Sequence, residues 1–309
     1  MEVNWNGIYP AITTQFKENG SLDLGMFTKN VDAQIEAGIH GIVLGGSLGE
    51  ASTLKNDEKL ILLETTLDIA RGKIPVIVNI AEKRTRDAVK RAVNAQENGA
   101  DGLMILPPMQ YKADDHETVT YFKDIAGETD LPILIYNNPV DYGIEVTPDM
   151  FEELLKMDNI RAVKDSTRDL TNVTRLINRF GDRLKILCGV DTLAMEAMLM
   201  GASGWVGGLV CAYPRETVVI YELIQQGRIE EAREIFRWFI PLLELDISPK
   251  LVQNIKLAEV ATGLGTEHVR KPRLPLAGED REKVQKIIDD AMANRPEMPN
   301  LEMEDKVSG

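Results

Sequence analysis

Short β-rich runs alternate with longer amphipathic segments along most of the chain, a pattern typical of a parallel sheet covered by helices. Several of the amphipathic segments end at or near a glycine, as helices commonly do. We predict strands over residues 7–16, 41–46, 75–80, 102–108, 132–139, 160–166, 184–190 and 204–210. Eight strands is the number that closes a TIM barrel. The sequence therefore predicts an α/β fold, a (β/α)8 TIM barrel.

After residue 213 only helical patterns remain, including IEEAREIFRWFIPLLEL and KLVQNIKLAEVATG. They exceed the one helix that completes a barrel, so we expect a C-terminal helical extension packed against it. The final residues are polar and lack periodicity. We predict a barrel over 1–225, a C-terminal helical region over 226–295 and a flexible tail over 296–309.

Composition and charge limit the possible partners. Hydrophobic residues make up 44% of the 309 residues, an ordinary share for a globular protein with a sizeable core. A net charge of −14 without a basic stripe disfavours nucleic acid. Because the sequence shows no signal segment and no apolar run near the roughly 18 residues of a membrane span, we expect a cytoplasmic protein with no membrane partner.

The cysteines and histidines do not form a metal pattern. Cys188 and Cys211 lie in apolar contexts and are expected to be reduced core residues. His40, His116 and His268 are far apart in the sequence and have no ligand-like spacing. We therefore expect no metal site.

The run IRAVKDS places Lys164 inside a predicted buried strand. Side chains alternate along a strand, so Lys164 and Ser166 share one face, and Tyr136 and Asn138 share one face of the preceding strand. If both faces point into the barrel near the carboxyl ends of the strands, Lys164 and Tyr136 are neighbours where TIM barrels carry their active sites.

Lys164 and Tyr136 could have either a catalytic or a structural role. An amine that loses its hydration in apolar surroundings is neutral more often and can attack a carbonyl or imine carbon. Tyr136 could then carry a proton through its phenol. Alternatively, Lys164 is a structural lysine paired with Asp165 or another carboxylate, and Tyr136 is a packed tyrosine with one hydrogen-bond partner.

The sequence GGSLGE, residues 45–50, follows the second predicted strand. Backbone N–H groups around Gly46, Ser47 and Leu48 could surround a small carboxylate, aided by the serine hydroxyl and by the partial charge of the following helix. The alternative is a tight turn that needs glycine for a positive φ. Dinucleotide binding is a weak competitor because the G-x-G-x-x-G spacing is absent.

GxxGE after strand two, YNNP ending strand five and VKDS ending strand six, at these separations, resemble the dihydrodipicolinate synthase and N-acetylneuraminate lyase superfamily. The resemblance covers roughly residues 5–292. It implies a TIM barrel with a C-terminal helical region, a homotetramer, and Schiff-base chemistry on small 2-oxo acids. The covalent lysine supplies the electron sink, so no metal or organic cofactor is implied.

The resemblance also assigns roles to residues. It matches Lys164 to the Schiff-base lysine and Tyr136 to the proton-relay tyrosine. Ser47 and the backbone at Leu48 match the turn that holds the substrate carboxylate. The backbone of Val206 matches a position near the bound 2-oxo acid. Asn138 belongs to the same YNxP motif.

Three departures bear on the substrate. Dihydrodipicolinate synthases usually carry Thr-Thr where this chain has Ser47 and Leu48, and an arginine where it has Asp141. Without that arginine, a second substrate carboxylate lacks an evident partner. The second tyrosine of the usual relay should fall near residue 110, where the chain has Gln110 followed by Tyr111.

Further segments, including YNNPVDYGIEVTPDMF and CGVDTLAMEAMLMGASGWVGGLV, resemble the branch of Δ1-pyrroline-4-hydroxy-2-carboxylate deaminases. This implies a lyase that releases ammonia and 2,5-dioxopentanoate. The alternatives are an aldolase or dehydratase of a hydroxylated 2-oxo acid, a condensation like that of dihydrodipicolinate synthase, and a non-catalytic sensor of small carboxylates.

Overall fold

The computed structural model describes residues 1–108 and 111–301. Its eight parallel strands are ordered β1-β8-β7-β6-β5-β4-β3-β2. A bridge between Ala11 and Val43 and a hydrogen bond from Ile12 N to Val43 O (3.0 Å) join the two ends of the sheet. The strands are β1 Gly7–Pro10, β2 Ile42–Leu44, β3 Val76–Ile80, β4 Gly102–Ile105, β5 Ile133–Asn137, β6 Ile160–Asp165, β7 Lys185–Cys188 and β8 Gly204–Gly207. The predicted (β/α)8 barrel is confirmed.

The α-helices lie outside the barrel or follow it in the chain. They are α1 Leu24–Glu36, α2 Asn56–Ala70, α3 Thr85–Glu97, α4 Asp115–Ala126, α5 Pro139–Tyr142, α6 Pro148–Leu154, α7 Thr171–Phe180, α8 Ala194–Leu199, α9 Pro214–Gln225, α10 Ile229–Leu243, α11 Leu251–Thr262 and α12 Gly278–Ala293. Helix α4 shows how the local sequence sets such an element. Asp114 accepts a hydrogen bond from Glu117 N (2.8 Å), and Glu117 accepts one from Asp114 N (3.0 Å), which forms a capping box.

The strands divide the core into two layers. The outer layer packs the strands against the helices. The inner layer fills the barrel with side chains from alternate strand positions, as the period of two requires. Its members are Val3, Trp5, Tyr9, Ala11, Val43, Ile77, Met104, Leu134, Ala162, Leu187 and Val206, with Tyr136 packed on them.

The largest difference between a predicted strand boundary and the structure is in the first strand. The first strand ends at Pro10 rather than at residue 16. Beyond the bridge at Ala11 the side chains of Thr13 and Gln15 turn to buried Glu259 on α11, so the backbone leaves the sheet ladder. The C-terminal extension comprises α10, α11 and α12, and α10 and α12 pack together.

The tail beyond α12 makes contacts with α9 and its C-terminal cap. Arg295 forms an ion pair with buried Glu216, and Gln226 donates a hydrogen bond to Leu301 O (3.0 Å). Residues 302–309 lie outside the described part, and the predicted domain boundaries and flexible tail stay predictions. Within the described residues, no helix combines the length and apolarity needed to cross a bilayer.

Candidate active site

A cavity of about 360 Å³ opens at the carboxyl ends of the strands. Ala11, Met104 and Val206 of the inner layer belong to its wall, together with Lys164 and Tyr136. Loops that follow strands converge at this end of a barrel, so polar groups from distant parts of the chain meet here.

Lys164 lies in this cavity directly beside Tyr136, because the parallel register of β5 and β6 pairs the two residues. Its Nζ is 4.3 Å from the centroid of the Tyr136 ring, and the residue is 7% exposed. Asp165 points to the other face of the strand, where its carboxylate accepts hydrogen bonds from Asn172 Nδ2 (2.9 Å) and Thr167 N (3.0 Å). Asp165 is therefore not the partner of Lys164, and a buried amine is left facing the cavity.

Gly189, just after β7, provides the space for this lysine. A Cβ there would lie 2.2 Å from Ser166 Oγ and 2.7 Å from Lys164 Cγ. Any larger residue would displace both side chains. The glycine is required by close packing against β6.

Asn138 connects Tyr136 to the loop after β5. Its Nδ2 donates to Tyr136 Oη (3.1 Å) and to Asp141 Oδ2 (2.7 Å), and its Oδ1 accepts from Asp141 N (3.1 Å). These bonds cap the short helix α5 and orient the phenol of Tyr136. Asn138 of the YNxP motif and Asp141, at the position of the expected arginine, are candidate substrate-binding residues, and both line the cavity.

The GGSLGE turn forms part of the cavity wall through Gly46, Ser47 and Leu48. In the described residues, no acceptor pairs with the backbone N–H of Ser47 or Leu48. Unpaired N–H groups at a cavity are suited to an anion. The positive φ of Gly45 (68°) also fits the alternative need for glycine in a tight turn.

The far end of this turn is held by the C-terminal extension. Glu50 is fully buried, accepts a hydrogen bond from Lys256 Nζ (2.7 Å) on α11 and accepts another from Arg270 N (3.0 Å). Its backbone is left-handed, with φ 53°. A 3-10 turn over Ala51–Thr53 then precedes α2, which begins only at Asn56. The expected contribution of the helix N-terminus to the turn is therefore wrong.

Tyr142 is a cavity residue that the sequence reasoning missed. Its Oη lies 2.9 Å from Ser47 Oγ, and its ring meets the Tyr136 ring edge-on with centroids 5.6 Å apart. Burial, more than any neighbour, raises the pKa of the Tyr142 phenol. The signal was its position one helical turn after Asn138, which places both residues on α5 or its cap.

The predicted second tyrosine has a different environment. Tyr111 is 59% exposed and does not belong to the cavity wall. Gln110 lies outside the described residues. Among the described residues, Tyr142 is the tyrosine whose ring contacts that of Tyr136.

Val206 is held in the wall by a buried carboxyl group. Asp191 accepts hydrogen bonds from Trp205 Nε1 (2.8 Å) and from Leu209 N (2.9 Å). In the chain, Trp205 comes just before Val206, and Leu209 comes just after Gly208. Burial raises the pKa of Asp191, and these donors oppose that rise. Asp191 thereby fixes the backbone at the end of β8.

Two further charged residues in the wall were not anticipated. Asp246 belongs to the loop between α10 and α11, and Arg168 follows β6. Arg168 is exposed and has φ 63°, a conformation that costs free energy for a side chain other than glycine. Neither position carries a local sequence signal, because each reaches the cavity only through the path of its loop.

Comparisons with known proteins agree with this geometry. Residues 4–291 match the model of the family described as "Dihydrodipicolinate synthetase family". The chain therefore belongs to the dihydrodipicolinate synthetase family. Members of this family are lyases that form a Schiff base between a lysine and a small 2-oxo acid, without a metal or organic cofactor. The protein is accordingly an enzyme of that class.

Relatives in the family are similar over almost their whole length. A 4-hydroxy-tetrahydrodipicolinate synthase from Methanothrix thermoacetophila is 29% identical over 92% of this chain and 96% of the relative. An uncharacterized DapA-like lyase from Rhizobium meliloti is 31% identical over 93% of this chain and 97% of the relative. The structure of the Acinetobacter baumannii dihydrodipicolinate synthase complexed with pyruvate has a TM-score of 0.89, 27% identity, and coverage of 93% of this chain and 99% of that one.

Proposed function

We propose that the protein is a Schiff-base lyase that uses Lys164 to deaminate Δ1-pyrroline-4-hydroxy-2-carboxylate to 2,5-dioxopentanoate and ammonia. The observation that carries the proposal is the buried amine of Lys164, which faces the cavity 4.3 Å from the Tyr136 ring and has no carboxylate partner among the described residues. An amine so placed can attack an electrophilic carbon.

The turn at residues 45–50 suits the carboxylate of such a substrate. The N–H groups of Ser47 and Leu48 are free to donate, and fixed donors in a site with little water bind an anion without reorganising. Val206 belongs to the same cavity wall and to the inner layer. The 2-oxo carbon, or the imine carbon of a cyclic substrate, would then lie between the turn and Lys164.

The reaction balances without an added redox partner. Lys164 Nζ adds to C2 of the ring imine, and the C2–N ring bond breaks, leaving a protein-bound imine and a free amine on C5. Loss of a proton from C3 gives an enamine that expels the 4-hydroxyl as water. The C3=C4 double bond left by this step is consumed as C5 loses a proton and C4 gains one, and as the C5 amine loses a proton and C3 gains one. The result is an imine at C5, whose hydrolysis releases ammonia. Hydrolysis at Lys164 then releases 2,5-dioxopentanoate, with one water consumed overall.

The test is to incubate the protein separately with pyruvate and with Δ1-pyrroline-4-hydroxy-2-carboxylate, reduce with borohydride and map the adducts by mass spectrometry. We expect both compounds to label Lys164 and only the second to release ammonia. Label without ammonia would refute the deaminase and direct the search to aldol cleavage of sugar-derived 2-oxo acids. Absence of any Lys164 label would refute the mechanism.

Proton transfer is proposed to run through Tyr136, Tyr142 and Ser47. Replacing Tyr142 with phenylalanine should lower kcat by about 10- to 100-fold, because the chain of hydroxyl groups is interrupted beside Tyr136. Labelling of Lys164 by pyruvate at equilibrium should persist. Steady-state kinetics and adduct mapping measure the two effects.

Tyr121→Phe is the matched control, because this buried hydroxyl on α4 has no hydrogen-bond partner among the described residues. Its kcat should equal that of the unchanged protein. A larger loss for Tyr111→Phe than for Tyr142→Phe would contradict the assignment and place residue 111 in the relay.

A second candidate is synthesis of 4-hydroxy-tetrahydrodipicolinate, which the names of several relatives favour. That reaction condenses pyruvate with aspartate semialdehyde, and its adduct carries a second carboxylate. Asp141 occupies the place where the resemblance expects an arginine, so the cavity is poorly suited to that group. Product formation from these two compounds is the direct assay.

The homotetramer and the cytoplasmic location stay predictions.

A further inference from the structure

The cavity wall contains two acidic side chains from different parts of the chain. Asp141 follows β5, and Asp246 lies in the loop between α10 and α11. One Asp141 oxygen accepts a hydrogen bond from Asn138 Nδ2. The Asp246 carboxylate has no hydrogen bond or salt bridge to any described residue. A carboxyl group in a cavity without a direct hydrogen-bond or ion-pair partner is costly unless a ligand supplies one.

The position of Asp246 is fixed by close packing. A Cβ on Gly208 would lie 2.3 Å from Asp246 Oδ1, so the carboxyl group rests directly on the backbone after β8. Burial raises the pKa of Asp246 well above its ordinary value, the negative charges of Asp191 and Asp141 raise it further, and Lys164 opposes them. A positive group entering the cavity would remove this penalty.

Ser166 is a second, independent indication of a polar ligand. It is 2% exposed, its Oγ has no partner among the described residues, and it belongs to the same wall, on the same strand face as Lys164. Buried hydroxyl groups are nearly always hydrogen-bonded, so an unpaired one at a cavity indicates a missing partner. The amine of Lys164, on the same strand face, also has no hydrogen-bond partner among the described residues.

We infer that Asp141 and Asp246, with Ser166, form a subsite for a positively charged amino group at the far end of the substrate. The inference rests on the proposed function and makes it more specific: the preferred substrates are 2-oxo acids, or their cyclic imines, that carry a distal ammonium. A distal carboxylate is disfavoured because each of these carboxyl groups that is ionised would repel it.

Such a subsite has a chemical consequence for a cyclic imine. When Lys164 opens the ring, the nitrogen on C5 becomes a primary amine that could close the ring again. Held as an ammonium between Asp141 and Asp246, it has no lone pair to attack the imine carbon. The open form then persists long enough for water to be eliminated.

Apart from Lys164, Arg168 is the positively charged residue in the described part of the cavity wall, and it could favour a distal carboxylate. Its side chain is exposed at the rim, where solvent screens its charge, whereas Asp246 lies against the backbone. A substrate with a distal carboxylate would have to use Arg168. The experiment therefore includes this residue.

The test compares three compounds of five carbons in competition for Lys164. Δ1-pyrroline-2-carboxylate opens to a distal ammonium and has no hydroxyl to eliminate, 2-oxoglutarate has a distal carboxylate, and 2-oxopentanoate is neutral at that end. After borohydride reduction the three adducts differ in mass, so one spectrum gives their ratio. The readout needs no turnover, and a misfolded fraction lowers all three adducts together.

We expect the ammonium compound to label Lys164 at least about 10-fold more than 2-oxoglutarate, since a charge-assisted hydrogen bond contributes that much. Asp246→Asn and Asp141→Asn should each reduce this ratio at least about 5-fold. Asp182→Asn removes one charge from an exposed pair with Lys185 outside the cavity wall and should leave the ratio unchanged.

Two results would overturn the subsite while leaving the lysine chemistry intact. One is labelling of Lys164 with no preference for the ammonium compound. The other is a preference for 2-oxoglutarate that Arg168→Gln abolishes, which would assign the distal site to an anion. Failure of all three compounds and of pyruvate to label Lys164 would instead refute the proposed function, and the subsite with it.

Discussion

Replacing Lys164 with arginine is expected to abolish turnover, with a loss in kcat on the order of 10³-fold or more, and to abolish borohydride trapping of pyruvate. A guanidinium is protonated at every accessible pH and its nitrogens are delocalised, so it cannot form the imine. The positive charge in the cavity is retained, which separates nucleophilic from electrostatic roles. Adduct mapping and steady-state kinetics measure the two losses.

Lys185→Arg is the matched control. This lysine lies on the neighbouring strand β7 and forms an exposed ion pair with Asp182 (2.8 Å), so the same substitution should change neither labelling nor kcat. Because arginine is larger than lysine and Gly189 leaves little room, Lys164→Met is the second variant, and thermal unfolding verifies that each protein is folded. A Lys164 variant that retains a trapped adduct elsewhere with full activity would contradict the mechanism.

Lys256→Met should lower the free energy of unfolding by about 3 to 5 kcal/mol. Lys256 Nζ is completely buried, bonds to Glu50 Oε1 (2.7 Å) and His268 O (2.6 Å), and lies 4.6 Å from the Phe16 ring centroid. Methionine fills similar space but leaves the carboxylate of Glu50 in the interior without its nearest cation. Chemical denaturation at neutral pH measures the loss.

Two comparisons isolate the buried pair. Lys156→Met, which breaks a surface pair with Glu153, should cost less than about 1 kcal/mol. In the double variant Glu50→Gln with Lys256→Met, part of the lost stability should return, since no unpaired charge remains. A single Lys256→Met variant as stable as Lys156→Met would show that Arg270 and Arg273 suffice to compensate Glu50.

The Lys164–Tyr136 pair shows what could be predicted from the sequence. Alternation along a strand placed each side chain on a face, and the order of the strands made β5 and β6 neighbours. These are local rules with a period of two, so they needed no coordinates. The same rules predicted the eight strands. The first predicted strand was too long, because the hydrogen bonds of Thr13 and Gln15 to Glu259 are long-range contacts that local rules do not include.

Tyr142, Asp246 and Arg168 show what the sequence did not predict. Each reaches the cavity from a loop or a four-residue helix whose path depends on contacts with distant residues, such as Gly208 beneath Asp246. The expected contribution of the helix N-terminus to the GGSLGE turn was wrong for the same reason. Lys256 and Arg270, more than 200 residues away, hold Glu50 at the end of that turn.

The sequence alone therefore determined the barrel, the strand faces and the position of the buried lysine, because hydrophobic periodicity and side-chain alternation are local properties of the chain. The tertiary structure decided which charged groups share the cavity with that lysine. Loop closure brings together groups that are remote in sequence, and no local pattern records which of them will meet.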